Sequence, residues 1–278
     1  MSSNAKPLLQ TPHAACDTHI HIYDARFPAA PGAPPPPPDA LAPAYRRMQE
    51  RLGLERVVIV QPNAYGDDNR CTLDAMAAFG GAARGIAVVK PGVSDTELRQ
   101  LTQSGVRGSR FMMLPGGPMR WEWLDEMAAR VHPFGWHVQL QFDGRDLPTF
   151  EAQLRRLPGN FVIDHNGKFL EPVAPDHAAF KCLLNLIDTG RCWVKLSAPY
   201  ETSKSGPPRY DDVSVLARAL VRAAPERMVW ASNWPHPSAK REAMPDDADL
   251  LDLLLDWAPD EATRRRILVD NPARLYGF

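Results

Sequence analysis

Short apolar runs alternate with amphipathic helical stretches along the whole chain, and this rhythm constrains the fold most strongly. Near-continuous hydrophobicity over so few residues is typical of strands buried on both faces of a parallel sheet. The runs are CDTHIHIY, RVVIVQP, RGIAVVK, VRGSRFM, HVQLQF, FVIDH, CWVKLS and RMVWAS. Helical segments separate them, as in SDTELRQLTQSG, where Ser94 precedes Glu97 by three residues and Gly105 closes the segment. Eight such units in 278 residues predict an α/β protein, a single-domain (β/α)8 TIM barrel.

A doubly wound open sheet is the alternative, but no G-x-G-x-x-G or P-loop follows an early strand. We assign residues 1–15 to an N-terminal extension and residues 16–278 to the barrel. The segment PAAPGAPPPPPDALAP, residues 28–43, is typical of a polyproline spacer. Because it follows the first strand, and such loops lie at the catalytic end of a barrel, we predict a stiff rim or partial lid there.

Charge and cysteine usage exclude several classes of protein. The net charge is −1 without a long run of one sign, so neither nucleic acid nor an anionic membrane is an expected partner. No apolar run reaches the ~18 residues of a membrane span, and the N-terminus lacks a signal-peptide pattern. The four cysteines are scattered without a Cys-x-x-Cys pair. We therefore expect a reduced, cytoplasmic enzyme, a monomer or homodimer.

Polar residues at the predicted strand ends form the candidate site. His19 and His21 lie two residues apart and therefore on one side of the first strand. His165 follows the sixth strand, and Asn233 follows the eighth. A single histidine is more often structural, and we place His13, His132, His137 and His177 in that class. For Asp164 the structural alternative is an outward-facing residue that caps a loop. The convergence of three strands on one pocket nevertheless favours a catalytic set of His19, His21, His165 and Asn233.

Four motifs in order carry a family resemblance. DTHIHIYD, VIDHNGK, WASNWPHP and the ending NPARLYGF resemble the amidohydrolase superfamily. More narrowly, they resemble its branch of 2-pyrone-4,6-dicarboxylate lactonase-like hydrolases, the amidohydrolase-related family 2. The likeness extends from about Cys16 to Phe278. His-x-His alone is a weak signal, whereas four motifs on four separate strands are specific.

The resemblance also bears on metal binding. Metal-dependent members of the superfamily bind zinc through the His-x-His pair, a lysine or glutamate on strand four, histidines on strands five and six, and a strand-eight aspartate. Here strand four has no such lysine, strand five has Gln141, and strand eight has Asn233. A neutral amide is a poor zinc ligand. We predict that no metal is required, with zinc bound by His19, His21 and His165 as the alternative.

In the lactonase mechanism that the resemblance implies, the strand-eight aspartate takes a proton from water. The histidines His19, His21 and His165 would polarise the lactone carbonyl. Asn233 cannot accept that proton, which leaves three accounts open. In the first, another histidine such as His236 is the base. In the second, the enzyme is a lactone isomerase in which a substrate hydroxyl attacks its own carbonyl. In the third, the chain is a hydrolytically weak ligand-binding barrel, whether naturally or because its base was removed. Our leading prediction is a lactonase.

The substrate side departs from the family pattern as well. Arg110 matches an arginine that grips a substrate carboxylate, but Gly116 and Glu201 stand where two companion arginines are expected. Losing two guanidinium groups disfavours a planar dicarboxylate. We expect a small polar or anionic lactone, a sugar-acid lactone first and an aromatic-degradation lactone second. The predicted substrate-binding residues are Arg110, Gln141, Asn63, Tyr65, Tyr200 and His236.

Overall fold

The computed structural model describes residues 5–33, 36–37 and 40–278, and within them eight parallel strands pair in sequence order. The strands are β1 (Cys16–Ile20), β2 (Arg56–Val60), β3 (Ala83–Ala87), β4 (Val106–Met112), β5 (His137–Gln141), β6 (Phe161–Ile163), β7 (Cys192–Leu196) and β8 (Met228–Trp230). The two ends of the sheet meet where Ile20 bridges to Trp234. Asn233 N also donates to His19 O at 2.9 Å. The predicted (β/α)8 barrel is confirmed.

Helices follow the strands and cover the barrel. They are α1 (Ala42–Leu52), α2 (Arg70–Phe79), α3 (Asp95–Gln103), α4 (Leu124–Val131), α5 (Leu147–Arg156), α6 (Ala178–Ile187), α7 (Asp211–Ala223), α8 (Asp247–Trp257), α9 (Glu261–Arg265) and α10 (Asn271–Tyr276). The predicted cap of α3 is present, because Ser94 Oγ accepts a hydrogen bond from Glu97 N at 3.1 Å. No helix in the described ranges is both long and apolar enough to cross a membrane.

The barrel interior combines an apolar core with a polar floor. Strand residues such as Val57, Ile59 and Leu140 are buried on the helix-facing or interior side, as their unbroken hydrophobic runs require. All four cysteines are buried and free. Asp164 and Lys195 are nevertheless fully buried charged groups, and such groups need partners. They lie beneath the histidines described below.

The strands end earlier than the apolar runs of the sequence. β1 ends at Ile20, β6 at Ile163 and β8 at Trp230, so the candidate catalytic residues after them lie in turns. His165 has φ 54° and Asn233 has φ 62°, in the left-handed region that side chains with a Cβ rarely adopt. Such backbone conformations cluster at functional sites.

The described parts of the two irregular segments pack on the barrel. In the N-terminal extension, Leu9 is buried and its N–H donates to the Asp252 carboxylate. In the Pro-rich loop, Ala30 N donates to Ala64 O at 2.7 Å, and Pro37 borders a cavity beside His236. These loop contacts lie at the carboxyl end of the strands. Residues 34–35 and 38–39 of the loop lie outside the described residues, and its role as a lid stays a prediction.

Candidate active site

His19 on β1 and His21 just after it contact each other at the carboxyl end of the barrel. His19 Nε2 lies 3.2 Å from His21 Nε2, and His21 Nδ1 lies 2.8 Å from the carbonyl oxygen of Val60. Because a carbonyl oxygen only accepts, Nδ1 of a neutral His21 carries the proton, and its Nε2 accepts the N–H of His19. The protons of both rings are therefore engaged by protein acceptors.

A buried ammonium group lies behind His19. Lys195 Nζ donates to Thr18 O at 2.8 Å and to Gln139 Oε1 at 2.7 Å. It lies 3.3 Å from His19 Nδ1, so its three hydrogens match three acceptors. Burial lowers the pKa of Lys195 to about 8, against the opposing charge of Asp164. Lys195 thus holds His19 in the tautomer whose proton is on Nε2.

Asp164 faces inward, so its interpretation as an outward loop cap is wrong. The side chain is fully buried; its Oδ1 lies 3.5 Å from His19 Nδ1 and 3.8 Å from Lys195 Nζ. Gln139 Nε2 donates to its Oδ2 at 3.1 Å. Burial opposes ionisation of Asp164, but the ammonium of Lys195 stabilises the carboxylate, and the pKa of Asp164 lies below its usual range. The carboxylate balances the charge of Lys195.

The three histidines of the cluster are neutral around pH 7. Burial, reinforced by the charge of Arg110, lowers the pKa of His21 to about 3. Burial also lowers the pKa of His165 to about 4 and, together with Lys195, lowers that of His19. Neutral imidazoles act here as hydrogen-bonding groups rather than as fixed charges.

His165 is the member of the cluster that has a ring nitrogen available to a ligand. Its Nδ1 lies 2.8 Å from Ser197 Oγ, and its ring centroid lies 5.1 Å from that of His19. No residue in the described part of the chain forms a hydrogen bond with His165 Nε2. When Ser197 donates to Nδ1, Nε2 carries the proton and can donate to a ligand.

Asn233 lies at the centre of a second polar network. Its Nδ2 donates to Tyr200 Oη at 2.9 Å and to Glu201 Oε1 at 3.2 Å. Glu201 forms a buried ion pair with Lys168 and accepts a hydrogen bond from Ser238 Oγ. Burial alone would raise the pKa of Glu201, but the charge of Lys168 and the hydrogen bonds from Lys168 and Ser238 lower it to about 2. Glu201 is therefore an ionised acceptor.

His236 extends this network to α8. Tyr200 Oη lies 3.0 Å from His236 Nδ1, and His236 Nε2 lies 3.1 Å from Asp247 Oδ1. These two atoms do not form a hydrogen bond despite this distance, so Asp247 acts on the imidazole through its charge. The order Asn233, Tyr200, His236, Asp247 places a carboxylate at the far end of a chain of polar groups.

Arg110 is a nearly buried guanidinium without a carboxylate partner in the described ranges. It is 5% exposed, donates to Gln61 O at 2.7 Å and donates to Gln141 Oε1 at 2.9 Å. Its Nε has no hydrogen-bond partner. A buried charge without an opposite charge is costly, which points to an anionic ligand.

The remaining predicted substrate-binding residues differ in their availability. Asn63 Nδ2 contacts Met112 Sδ at 3.0 Å, and its Oδ1 has no hydrogen-bond partner. Tyr65 Oη donates to Asp24 O and accepts from Asp24 N, at 3.0 and 2.8 Å. Tyr65 thus fastens the loop after β1, and its hydroxyl has no proton left for a ligand.

His19, Asp164 and His165 present ligand atoms within 4.8 Å of one another, close enough to share a metal ion. The donor set is compatible with zinc in type. However, the ammonium of Lys195 already lies 3.3 Å from His19 Nδ1 and 3.8 Å from Asp164 Oδ1. A second cation at these atoms would repel it, so the arrangement does not fit a metal unless Lys195 first loses its proton.

A cavity of about 890 Å³ lies beside the loop after β8 and is bordered by His236, Asp247 and Arg51. His19, His21 and His165 are not among the residues that line it. The cavity therefore meets the site on its His236 side.

Lys195, Glu201 and Lys168 are site residues that sequence reasoning did not select. Lys195 has a strand-end position on β7 that fits the same pattern as His19, so that signal was present. From the sequence, Glu201 is identified only as the residue at a position where the family pattern has an arginine. Lys168 itself has a φ of 50°, which no sequence periodicity predicts.

A closed (β/α)8 barrel with a His-x-His pair on β1 and polar groups after β6 and β8 defines an amidohydrolase-type enzyme. The family model described as amidohydrolase matches residues 16–278. The chain belongs to this family.

Several relatives cover nearly the whole chain. D-galactarolactone isomerase of Agrobacterium fabrum is 40% identical over 99% of this chain and 94% of its own length. A 2-pyrone-4,6-dicarboxylate hydrolase of Comamonas testosteroni is 37% identical over 98% of this chain and 93% of its own length. An apo crystal structure of an Agrobacterium tumefaciens protein has a TM-score of 0.94 at 40% identity, covering 98% of this chain and 97% of that one. The lactonase branch of the resemblance is confirmed.

Proposed function

We propose that this chain is a lactonase that opens a small anionic lactone. The observation that carries the proposal is Arg110, a buried guanidinium without an ion-pair partner in the described ranges, whose charge lowers the pKa of the neighbouring neutral His21. An acid group of the substrate would supply the missing counter-charge, in the paired geometry that arginine favours. The relatives named for galactarolactone and pyrone dicarboxylate support this substrate class.

The carbonyl oxygen of the lactone binds at His165. Its Nε2–H, set by the Ser197 hydroxyl on Nδ1, donates to the oxygen as negative charge develops there. The Nε2–H of His19 is shared with His21 and adds to this stabilisation when the carbonyl oxygen replaces His21 as acceptor. In this proposal His19 acts with His165 as a donor to the carbonyl oxygen, whereas His21, whose proton points to Val60 O, orients His19.

Water attacks the carbonyl carbon from the side of Asn233. The water proton passes to Tyr200 Oη as the tyrosine proton moves to His236 Nδ1, 3.0 Å away. The imidazolium that forms is stabilised by Asp247, 3.1 Å from Nε2. It returns the proton through Tyr200 to the ring oxygen as the bond between that oxygen and the carbonyl carbon breaks, and the carboxylic acid that forms then releases its own proton. His236 is therefore the base in place of Asn233, and Glu201 is a weak base because its pKa is about 2.

Intramolecular isomerisation is the second candidate function. Two observations favour it: an amide replaces the aspartate of the family pattern at position 233, and a relative that is 40% identical is named an isomerase. A hydroxyl of the substrate would then take the place of water against Asn233. The old C–O bond breaks as a new ring closes, and no proton is released.

We further propose that the reaction requires no metal, because the ammonium of Lys195 supplies positive charge beside His19 and Asp164. Elemental analysis and activity after chelation test this. We expect well under one zinc per chain and full activity; stoichiometric zinc with loss of activity on its removal would assign His19, Asp164 and His165 as its ligands. A cytoplasmic location is inferred from the four free cysteines.

The decisive experiment incubates the protein with sugar-acid and muconate-type lactones and follows each by NMR and proton release together. Hydrolysis gives an open-chain acid with one proton released per turnover. Isomerisation gives a second ring without a proton. We expect His165→Gln to lose at least 10²-fold in rate, and His13→Gln, at a position outside the site, to lose none. Saturable binding of a lactone without turnover would make the chain a binding protein.

A further inference from the structure

The side-chain amide of Asn233 is held from two sides. Its Nδ2 lies 2.9 Å from Tyr200 Oη and 3.2 Å from Glu201 Oε1, and the residue is 1% exposed. Asparagine has two hydrogens on this nitrogen. Both are therefore used by protein acceptors.

The orientation of this amide follows from the charge of its partner. Glu201 is ion-paired with Lys168 and accepts from Ser238, so it is a carboxylate and cannot donate. An amide turned the other way would place its oxygen against that carboxylate, which is repulsive. The nitrogen must face Glu201, and Oδ1 must face away from it.

The second partner favours the same orientation. Tyr200 lies between Asn233 and His236, and its Oη lies 3.0 Å from His236 Nδ1, which takes the tyrosine proton if that nitrogen is an acceptor. The other ring nitrogen of His236 faces the Asp247 carboxylate at 3.1 Å, which favours a proton on that nitrogen and leaves Nδ1 as an acceptor. Tyr200 Oη consequently accepts from Asn233. No described residue donates to Asn233 Oδ1.

We propose that Glu201 is a positioning and specificity residue: it fixes Asn233 as a hydrogen-bond acceptor, so that this end of the site selects a ligand hydroxyl group or water. This inference rests on the proposed lactone chemistry. It predicts a substrate with an acid group that binds Arg110 and a hydroxyl group that binds Asn233. A second carboxylate at the Asn233 end would meet an acceptor and the nearby charge of Glu201, and is disfavoured.

Glu201→Gln tests the proposal because it removes the charge and retains the shape. Lys168 would pair with the oxygen of the introduced amide, leaving the NH₂ group of that amide to face Asn233 and to turn the asparagine side chain over. We expect the KM for a hydroxylated lactone to rise roughly 10- to 100-fold, while the KM for its deoxy analogue is retained, because loss of the attacking water lowers kcat rather than substrate affinity. An equal rise in KM for both lactones would overturn the specificity role.

A measurement without substrate separates this inference from the proposed function. The Nδ2 hydrogens of Asn233, assigned by their loss in Asn233→Ala, should exchange slowly in the unaltered protein and at least tenfold faster in Glu201→Gln. Asn271 is the internal control, because its Nδ2 donates to Pro225 O and Met228 O at the opposite end of β8. Its exchange should not change. Fast exchange of the Asn233 amide in the unaltered protein would overturn the proposal even if Glu201→Gln fails to fold.

Discussion

The ammonium of Lys195 lies 3.3 Å from Nδ1 of His19, although 176 positions separate the two residues in the chain. In this contact the lysine donates to Nδ1, which keeps the proton of the imidazole on Nε2. It also places a positive charge beside His19 and Asp164, two of the three residues that lie close enough together to share a metal ion. The chemistry of the histidine cluster therefore depends on β7 as much as on β1.

Lys195→Met should reduce kcat/KM at least 10²-fold. The substitution retains the volume but removes three hydrogen bonds and leaves Asp164 as an unpaired buried carboxylate, a loss that typically costs about 3–5 kcal/mol of stability. Kinetics and thermal unfolding measured on the same preparation separate the two effects. Lys90→Met, at an exposed surface pair with Asp67, is the control and should change neither. Full activity in Lys195→Met would remove this residue from the site.

Arg110→Met should raise the KM for an anionic lactone roughly 10- to 100-fold, since a charge-assisted contact to a carboxylate is lost. Arg107→Met is the matched control. It lies on the same strand three residues earlier and donates to Thr102 O and Val106 O, away from the site. Equal effects of the two substitutions would contradict an anion-binding role for Arg110.

Ser197→Ala should slow the reaction about tenfold or more by releasing the tautomer of His165, whose Nδ1 lies 2.8 Å from the serine hydroxyl. Ser109→Ala serves for comparison, because Ser109 is equally buried but its hydroxyl has no hydrogen-bond partner. That control should retain its rate and stability. The measurement is kcat at saturating lactone, and an unchanged value for Ser197→Ala would leave another residue as the carbonyl donor.

Asn233→Asp should accelerate hydrolysis, because a carboxylate beside the water would take its proton directly instead of through Tyr200 and His236. General-base assistance is typically worth about 10²- to 10⁴-fold in total, and His236 already supplies part of it. The new carboxylate would lie beside that of Glu201, and repulsion between the two should raise its pKa, so that the gain grows as pH rises. Combining Asn233→Asp with Glu201→Gln should move the gain to lower pH. A folded, lactone-binding Asn233→Asp protein that hydrolyses no faster would favour isomerisation or binding.

Stability should fall as pH decreases from about 6.5 to about 4. The pKa values of the buried His21, His137 and His165 are lowered to about 3, 3 and 4, so the unfolded chain binds more protons below its histidine pKa of about 6.5. Each such proton contributes about 1.4 kcal/mol per pH unit. Burial raises the pKa of Asp17 to about 6, so the folded chain binds one more proton there than the unfolded chain. This proton offsets one of the histidine protons.

Urea unfolding across this pH range measures the slope. His137→Gln, outside the site, should reduce it by about one proton. An unchanged slope in that variant would show that His137 does not remain neutral in the folded protein.

The sequence determined the barrel and much of its site. Unbroken apolar runs predict strands buried on both faces, and two-residue spacing places His19 and His21 on one side, as their 3.2 Å contact confirms. Strand alternation does not extend past the end of a strand, however. Asp164 follows β6, and its inward direction is set by Lys195 and Gln139 rather than by any local pattern.

Only the tertiary structure decided which groups meet across the barrel. Glu201 and Asn233 are 32 positions apart and lie on loops after different strands, and Asn233 is held at a φ of 62° that its sequence neighbourhood does not specify. Such contacts arise because barrel closure brings β1, β7 and β8 together. Composition and periodicity report the local preferences of a chain, whereas charge pairing in a closed interior depends on distances that only the folded backbone sets.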